Sequence, residues 1–403
     1  MSAAFSGADL AAFAEALARF GDHSREKLFG PAAAIGPDGD LAAIPALLGE
    51  ARSTGLMSDP APEEFDGDFG VWGGHVLDHG CRLSLLTLGS LGESCAGLAA
   101  AVHAQGIGCL ALGGSRGPGG AVESGATVAA AFVPGYGVAF DERTHSDALS
   151  ISVSAGRSHI HGRSPFVWSA GTPDWLAVVA RDAQSEDAGA HGSWIVAAVP
   201  VGAAGVRIAP VGRRIGLRAI EQLEVNFDRV ELEPDAIVAA GDQAALLVTR
   251  VVACDWLGLA AISLGTARAA IREAKAYAAT RHQGGRTIAR HAAVRILLAE
   301  ASHHLATLAA LLDTMEDQPM AQVPERDLLR RSASARLGIG EHAAGAVSNC
   351  VQVLGGYGYM DDYGISKRLR DVSVLRSRHG SREQLLLLLD DLSTEEAATG
   401  KVA

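Results

Sequence analysis

The segment from Gln352 to Gly380, QVLGGYGYMDDYGISKRLRDVSVLRSRHG, contains the residues of this chain best suited to contacting a phosphate-bearing ligand. Gly355 and Gly356 follow an apolar helical run, where a glycine costs about 1 kcal/mol relative to alanine. Bare backbone lets a ligand or another chain approach closely, and an interrupted helix offers N–H groups to a phosphate. A simple tight turn explains a lone glycine pair better, so the surrounding residues must decide.

The order of those surrounding residues is specific. Gln-x-x-Gly-Gly-x-Gly-Tyr, followed by Arg-Asp and by an Arg-x-x-x-Gly-Ser turn that ends at Ser381, resembles the C-terminal signature of the acyl-CoA dehydrogenase family. The resemblance implies an α+β, mainly α fold: a helical N-terminal domain, a central β-barrel and a C-terminal four-helix bundle, with FAD held between subunits. It also implies that Gln352, Gly355 and Gly356 approach the ADP part of a flavin bound mainly by a neighbouring subunit.

An arginine earlier in the chain extends this expected flavin site. Arg281 opens the segment RHQGGRTIARH, which is similar to the family's Arg-x-x-Phe-Gly turn, although Gly284 replaces the phenylalanine. By resemblance Arg281 would reach the pyrophosphate of the partner's FAD through a bidentate, charge-assisted contact. The alternative is a solvated arginine at a helix end, and the match at Gln352 and the glycine pair favours the flavin contact.

Two loops that face the flavin in the family are altered here. The first, FDERTHSD, keeps only Ser146 and Asp147 of the family pattern, and Ser146 is carried over as a flavin contact. In the second, FVWSAG, Trp168 stands where the family has a hydroxyl residue. Trp168 and Ser169 are therefore expected near the isoalloxazine ring, with an ordinary core position as the equal alternative, because aromatic residues in strands are usually buried.

The family reaction is α,β-dehydrogenation of a thioester, in which a buried carboxylate removes the α-proton. His379 stands where the common catalytic glutamate precedes a glycine, and the family's alternative position for that glutamate is Thr249. Both positions therefore lack a carboxylate. A neutral imidazole is a competent base near neutral pH, so His379 is the candidate catalytic residue. Arg250, next to Thr249, is the candidate substrate-binding residue.

Three functions stay open on the sequence. The first is an FAD-linked oxidoreductase that acts on an acyl-CoA or acyl-carrier-protein thioester. The second is a flavin-dependent monooxygenase on the same fold, in which a histidine near position 379 assists oxygen chemistry. The third is a non-catalytic subunit of a heteromer that lends flavin contacts in trans. A surface position for His379 without a role is the remaining alternative.

The pattern of apolar residues predicts which elements position these groups. Helical spacing dominates residues 1–126, short β-type runs separated by turn residues occupy 127–238, and helical spacing returns over 239–403. We expect three domains with these boundaries. The middle one is predicted to be a small antiparallel barrel or sandwich. The last should be a bundle with helices at 243–280, 286–315, 325–352 and 381–392, the final one buried or at an interface.

Composition excludes several classes of function. The formal charge of −12 and the lack of a Lys/Arg run argue against a nucleic-acid partner. Five cysteines without a C-x-x-C pair indicate neither a zinc site nor a disulfide framework, and Glu300–His303 is an E-x-x-H without the second copy that a di-iron site needs. No secretory signal or membrane span is expected, so we predict a cytoplasmic protein without bound metal. Contacts across subunits predict a homo-oligomer, dimer or tetramer, or a heteromer with a related subunit.

Overall fold

The computed structural model describes residues 7–30, 38–61, 70–114, 116–132, 149–154, 157–184 and 194–399. Alanine and leucine at helical spacing produce the first five helices. The fifth is buried along most of its length and lies at the centre of this helical part. The helices are α1 (Gly7–Phe29), α2 (Ile44–Ser53), α3 (His75–His79), α4 (Arg82–Ser94) and α5 (Ala96–Ala111).

Eight of the described strands form one sheet in the order β6-β7-β3-β2-β4-β5-β8, with β1 paired to β4. The pairs β1–β4 and β2–β4 are parallel, so the sheet is mixed and the purely antiparallel prediction was wrong. The described strands form an open path with β6 and β8 at its ends, and a closed barrel is not seen in them. The strands are β1 (Val128–Phe132), β2 (Ser150–Ser154), β3 (Arg157–Ser169), β4 (Trp175–Asp182), β5 (Trp194–Pro200), β6 (Val206–Pro210), β7 (Glu221–Leu232) and β8 (Ile237–Ala240).

The sheet is followed by long helices that pack around α6. Helix α6 is apolar and long enough to cross a membrane by length and composition, but 72% of its most apolar window is buried inside the protein. It packs against α4 and α5 from the N-terminal part and against α7, α8 and α9 from the C-terminal part. The helices are α6 (Gly241–Thr280), α7 (Ala292–Asp313), α8 (Glu325–Gly338), α9 (Ala344–Leu354), α10 (Ile365–Leu375) and α11 (Arg382–Thr399).

Two bundle predictions differ from the structure in detail. The helix expected from residue 286 begins at Ala292, because Gly284 and Gly285 at positive φ close a hairpin between β9 (His282–Gln283) and β10 (Arg286–Thr287). The single helix expected over 325–352 contains a π-helical turn at Ile339–Ala343. In α11, Leu385 and Leu392 are buried whereas Leu386 and Leu387 are exposed, so the expected interface position of this helix stays a prediction.

A polar network joins the loop between β6 and β7 to the last part of the chain. Asp371 on α10 accepts hydrogen bonds from the backbone N–H of Leu217 at 2.7 Å and from Lys367 Nζ at 2.5 Å. Arg370 donates to Asp38, which also pairs with Arg218. The Arg-Asp pair of the C-terminal segment therefore fixes α10 against the loop between β6 and β7.

Candidate active site

A cavity of about 930 Å³ lies between the sheet and the C-terminal helices. Phe132 and residues 164–168 of β3 form one wall, and residues 336–341 and 376–385 form the other. His379, the candidate base, lines this cavity, and the ring of Phe132 packs edge-on against the imidazole at 5.8 Å between centroids. The structure thus brings His379 and Trp168 to the same cavity, as a shared site requires.

The turn that carries His379 is held in place by buried donors. His379 has a positive φ of 49°, an uncommon conformation for a residue other than glycine, and Gly380 follows at 112°. Arg336, which is 2% exposed, donates to the carbonyl oxygens of Arg376 at 2.8 Å and of Arg378 at 3.1 Å. These bonds satisfy carbonyls at the end of α10 that the helix leaves without partners. Trp256 Nε1 donates to the His379 carbonyl at 3.0 Å.

Behind His379 lies a fully buried carboxylate. His379 Nδ1 is 2.7 Å from Oδ2 of Asp255 on α6, and Nε2 of His103 on α5 is 3.0 Å from Oδ1 of the same residue. Trp72 Nε1 donates to His103 Nδ1 at 2.8 Å. The His379 side chain is 15% exposed and that of Asp255 only 2%, so the pair is largely screened from bulk water.

The surroundings set the protonation of this pair. Burial disfavours the carboxylate most strongly, yet the charge of His379 and the hydrogen bonds from both histidines hold the pKa of Asp255 well below its usual range. Burial and the Arg378 guanidinium lower the pKa of His379 to about 4, although Asp255 favours the protonated imidazole. At neutral pH an ionised carboxylate therefore faces a neutral imidazole, which is the form that can accept a proton.

An arginine covers the aromatic residue expected at the flavin ring. The Arg378 guanidinium lies 3.7 Å from the Trp168 ring centroid and donates to the Phe166 carbonyl at 2.9 Å. Trp168 is 3% exposed and lines the cavity. Ser169 is buried, its Oγ has no hydrogen-bond partner among the described residues, and it does not line the cavity. Of the two predicted contacts on this strand, only Trp168 therefore faces the site.

The predicted dinucleotide contacts lie together on a separate, exposed surface. Arg281, Gln352, Gly355 and Gly356 are all exposed. The Arg281 guanidinium lies 5.5 Å from the ring centroid of Tyr357, so it stands beside the Gly355–Tyr359 segment. Helix α9 ends at its C-cap, Gly355, whose φ of 57° is a conformation that favours glycine. This surface matches the expectation of groups offered to a second subunit, and that role stays a prediction.

Two predicted residues do not join either site as described. Ser146 lies outside the described residues. Arg250 is half-buried on α6, one turn before Cys254, and it is not among the residues that line the cavity. A role for Arg250 in substrate binding therefore has no support from the described part of the chain.

Sequence reasoning missed the residues behind His379. Asp255 and His103 are 152 positions apart and share no motif, so only the folded packing of α5 on α6 brings them together. One signal was present. Asp255 is an ionisable residue inside a long apolar helical stretch, and a buried charge without a partner is too costly to be kept. That signal points to Asp255 but not to its partners.

Comparison with known proteins extends over both sites. A family model for the acyl-CoA dehydrogenase C-terminal domain matches residues 252–391, a range that includes Asp255, the Gly355–Tyr359 segment and His379. An acyl-CoA dehydrogenase of Bacillus subtilis (strain 168) is 30% identical over 262 residues, which is 60% of this chain and 64% of that relative. The matched region thus spans less than two thirds of the relative's length.

Solved structures share the fold over nearly the whole chain. Butyryl-CoA dehydrogenase from Megasphaera elsdenii has a TM-score of 0.74 at 16% identity, with 97% of this chain and 99% of that chain covered. A glutaryl-CoA dehydrogenase from Mycobacterium smegmatis in complex with FADH2 has a TM-score of 0.72 at 17% identity, covering 99% and 96%. Residues 252–391 are thus similar to the C-terminal domain of acyl-CoA dehydrogenases, and the chain shares the fold of these enzymes.

Proposed function

We propose that the protein is an FAD-linked oxidoreductase that removes the α- and β-hydrogens of an acyl thioester, with His379 as the base. The observation that carries this proposal is the pairing of His379, at the cavity wall, with the buried carboxylate of Asp255 at 2.7 Å. An imidazole held by a carboxylate replaces the glutamate that the family places in this turn. The thioester is carried by coenzyme A or by an acyl carrier protein.

Two observations support FAD as the cofactor. The backbone φ of Gly356 is not positive, and a Cβ atom placed on this residue would have no other atom within 4 Å. Neither backbone conformation nor packing among the described residues therefore requires a glycine here. A bare backbone beside the Arg281 guanidinium suits close approach of a dinucleotide. The cavity of about 930 Å³ is also large enough for a cofactor ring and an acyl group. Arg281, Gln352, Gly355 and Gly356 would hold the dinucleotide, and Trp168 with Arg378 would border the ring.

The residues of this chain account for the proton transfer. The neutral His379 imidazole accepts the α-proton, and the electron pair of the broken Cα–H bond becomes the new Cα–Cβ double bond. Asp255 stabilises the imidazolium that results, because a carboxylate at hydrogen-bond distance favours the charged ring. FAD, when bound, supplies the acceptor for the β-hydrogen, which leaves as hydride.

The exposed position of Arg281 and the Gly355–Tyr359 segment supports an oligomer. Arg281 and most of this segment are exposed in the single chain, and neither borders the cavity that contains His379. We propose that they serve the flavin of a second subunit, in a homo-oligomer or with a related chain. The active unit would then be at least a dimer.

One observation favours a second candidate function. The Arg378 guanidinium covers the Trp168 ring at 3.7 Å, so a flat ring that enters this cavity meets a cation instead of a free aromatic face. The Arg378–Trp168 stack is compatible with a subunit that holds no flavin of its own. Such a subunit would instead lend Arg281 and its glycine pair to the flavin of a related subunit. In that case the purified chain is colourless and a mixed complex is yellow.

Anaerobic mixing of the purified protein with an acyl-CoA tests the first candidate. Oxidised flavin should bleach, and His379→Asn should slow the bleaching about 100-fold or more, because a positioned base contributes roughly that factor. Asparagine tolerates the positive φ at this position, so the turn should keep its shape. His161→Asn, an exposed change on β3, is the matched control. Bleaching at an unchanged rate in His379→Asn would remove this histidine from the mechanism.

A further inference from the structure

A line of hydrogen bonds leads from the N-terminal helical part of the chain to the cavity. Trp72 Nε1 lies 2.8 Å from His103 Nδ1, and His103 Nε2 lies 3.0 Å from Asp255 Oδ1. An indole N–H can only donate, so His103 Nδ1 must be the acceptor. The proton of the neutral His103 ring is then on Nε2, which donates to Asp255. The indole of Trp72 therefore determines that the hydrogen bonds run from Trp72 to His103 and from His103 to Asp255.

The same logic determines the state of His379. The second carboxylate oxygen of Asp255 accepts from His379 Nδ1 at 2.7 Å, which places the proton of that neutral ring on Nδ1. The lone pair that can take up a proton is then on Nε2 of a ring that lines the cavity. The opposite tautomer would place a lone pair against the carboxylate and leave no basic nitrogen for a ligand.

The residues that form this line of hydrogen bonds include a strained backbone conformation and closely packed rings. Trp72, which is 1% exposed, has a φ of 66°, a costly conformation for a bulky residue, and its backbone N–H donates to Ser84 Oγ at 3.0 Å. On α6, a Cβ built at Gly258 would lie 2.5 Å from His103 Nδ1 and 3.0 Å from Trp72 Cζ2. The missing side chain at Gly258 thus leaves room for both rings.

We propose that Trp72, His103 and Asp255 are positioning residues that hold His379 in the tautomer with its proton on Nδ1 and its lone pair on Nε2. None of the three lines the cavity. The tautomer follows from the hydrogen bonds alone. Only its consequence for catalysis rests on the proposed function.

The test is nitrogen NMR of protein that carries isotope-labelled histidine, which distinguishes protonated from unprotonated ring nitrogens. In the wild type, His379 should show a protonated Nδ1 and His103 a protonated Nε2. A wild-type His379 protonated on Nε2 at neutral pH would overturn the proposal without any variant.

Asp255→Asn should invert the tautomer of His379. His103 still donates from Nε2, so the amide oxygen of the new asparagine accepts this hydrogen bond. The amide N–H₂ group then faces His379 Nδ1. That nitrogen must become the acceptor, which moves the ring proton to Nε2 and removes the base. Flavin bleaching by an acyl-CoA should fall about 100-fold or more. Asp228→Asn, an exposed change on β7, should alter neither the spectrum of His379 nor the bleaching.

The double variant Trp72→Phe, Asp255→Asn tests the directing role of Trp72. Without the indole donor, His103 is free to exchange its proton between nitrogens, the asparagine amide is free to turn, and His379 should regain part of the Nδ1-protonated form. A His379 that stays protonated on Nδ1 in Asp255→Asn, or stays fully inverted in the double variant, contradicts the proposal. Expected tautomers with unchanged bleaching would instead refute the proposed function and leave the positioning role intact.

Discussion

Replacing Gly258 by alanine probes the packing that the buried hydrogen-bond line requires. The new methyl group would lie 2.5 Å from His103 Nδ1 and 3.0 Å from Trp72 Cζ2, both inside normal van der Waals contact. Trp72 and His103 are 1% and 0% exposed, so neither ring can swing into solvent. Either α6 moves away from α5, or the Trp72–His103 hydrogen bond lengthens.

Two opposing effects set the expected magnitude. Overpacking of a dense core costs about 1–3 kcal/mol, with the upper value apt here because both neighbours are aromatic rings fixed by hydrogen bonds. Alanine gains about 1 kcal/mol over glycine in helix propensity. The net result should be a loss of about 2 kcal/mol in the free energy of unfolding, measured by urea denaturation followed by circular dichroism.

Gly49→Ala is the matched control for this substitution. Gly49 lies within α2, and a Cβ built there meets nothing within 4 Å. The same change at Gly49 should therefore raise the free energy of unfolding by up to about 1 kcal/mol. If Gly258→Ala is as stable as Gly49→Ala, then α5 and α6 are not packed around the two rings as described.

Further predictions concern the charged groups. Asp371→Ala leaves the Lys367 ammonium buried without its carboxylate, and should lower the free energy of unfolding by about 3–5 kcal/mol in urea denaturation; a change below about 1 kcal/mol would contradict the buried pair. Burial and Arg378 lower the pKa of His379 in the folded state from 6.5 to about 4. Between pH 4 and pH 6.5 this histidine is therefore protonated in the unfolded chain but not in the folded one. Stability should therefore fall by about 3 kcal/mol as the pH is lowered through this window, and this loss should be absent from His379→Asn in denaturation at a series of pH values. Arg378→Ala removes the guanidinium from the aromatic ring beneath it and should raise the flavin content of the purified chain if the stack excludes the cofactor, as measured by absorbance; unchanged content argues against the second candidate function.

Patterns of apolar residues are local, and the parts of the fold that depend on them follow from the sequence. The order of helices, strands and helices, and the break after α9 at Gly355, were predicted from spacing and glycine placement. The sheet was predicted less well. Parallel pairing of β1 with β4 depends on how distant strands meet, and alternation within one strand carries no information about the direction of its neighbour.

The site shows the same division between local and distant information. His379 was identified by its place in a motif, whereas Asp255 and His103 act through contacts between helices that are far apart in the chain. The stack of Arg378 on Trp168 joins the end of the chain to β3, which lies 210 positions earlier in the sequence. No rule based on residue spacing predicts a contact of this kind. Such contacts are set by tertiary packing alone.

The absorbance spectrum of the purified protein under anaerobic conditions tests the central claim most directly. The account predicts flavin bands, from the chain alone or from its complex with a related subunit, that bleach when an acyl-CoA is added without oxygen. A protein that remains colourless after incubation with FAD, both alone and mixed with such a subunit, would contradict it.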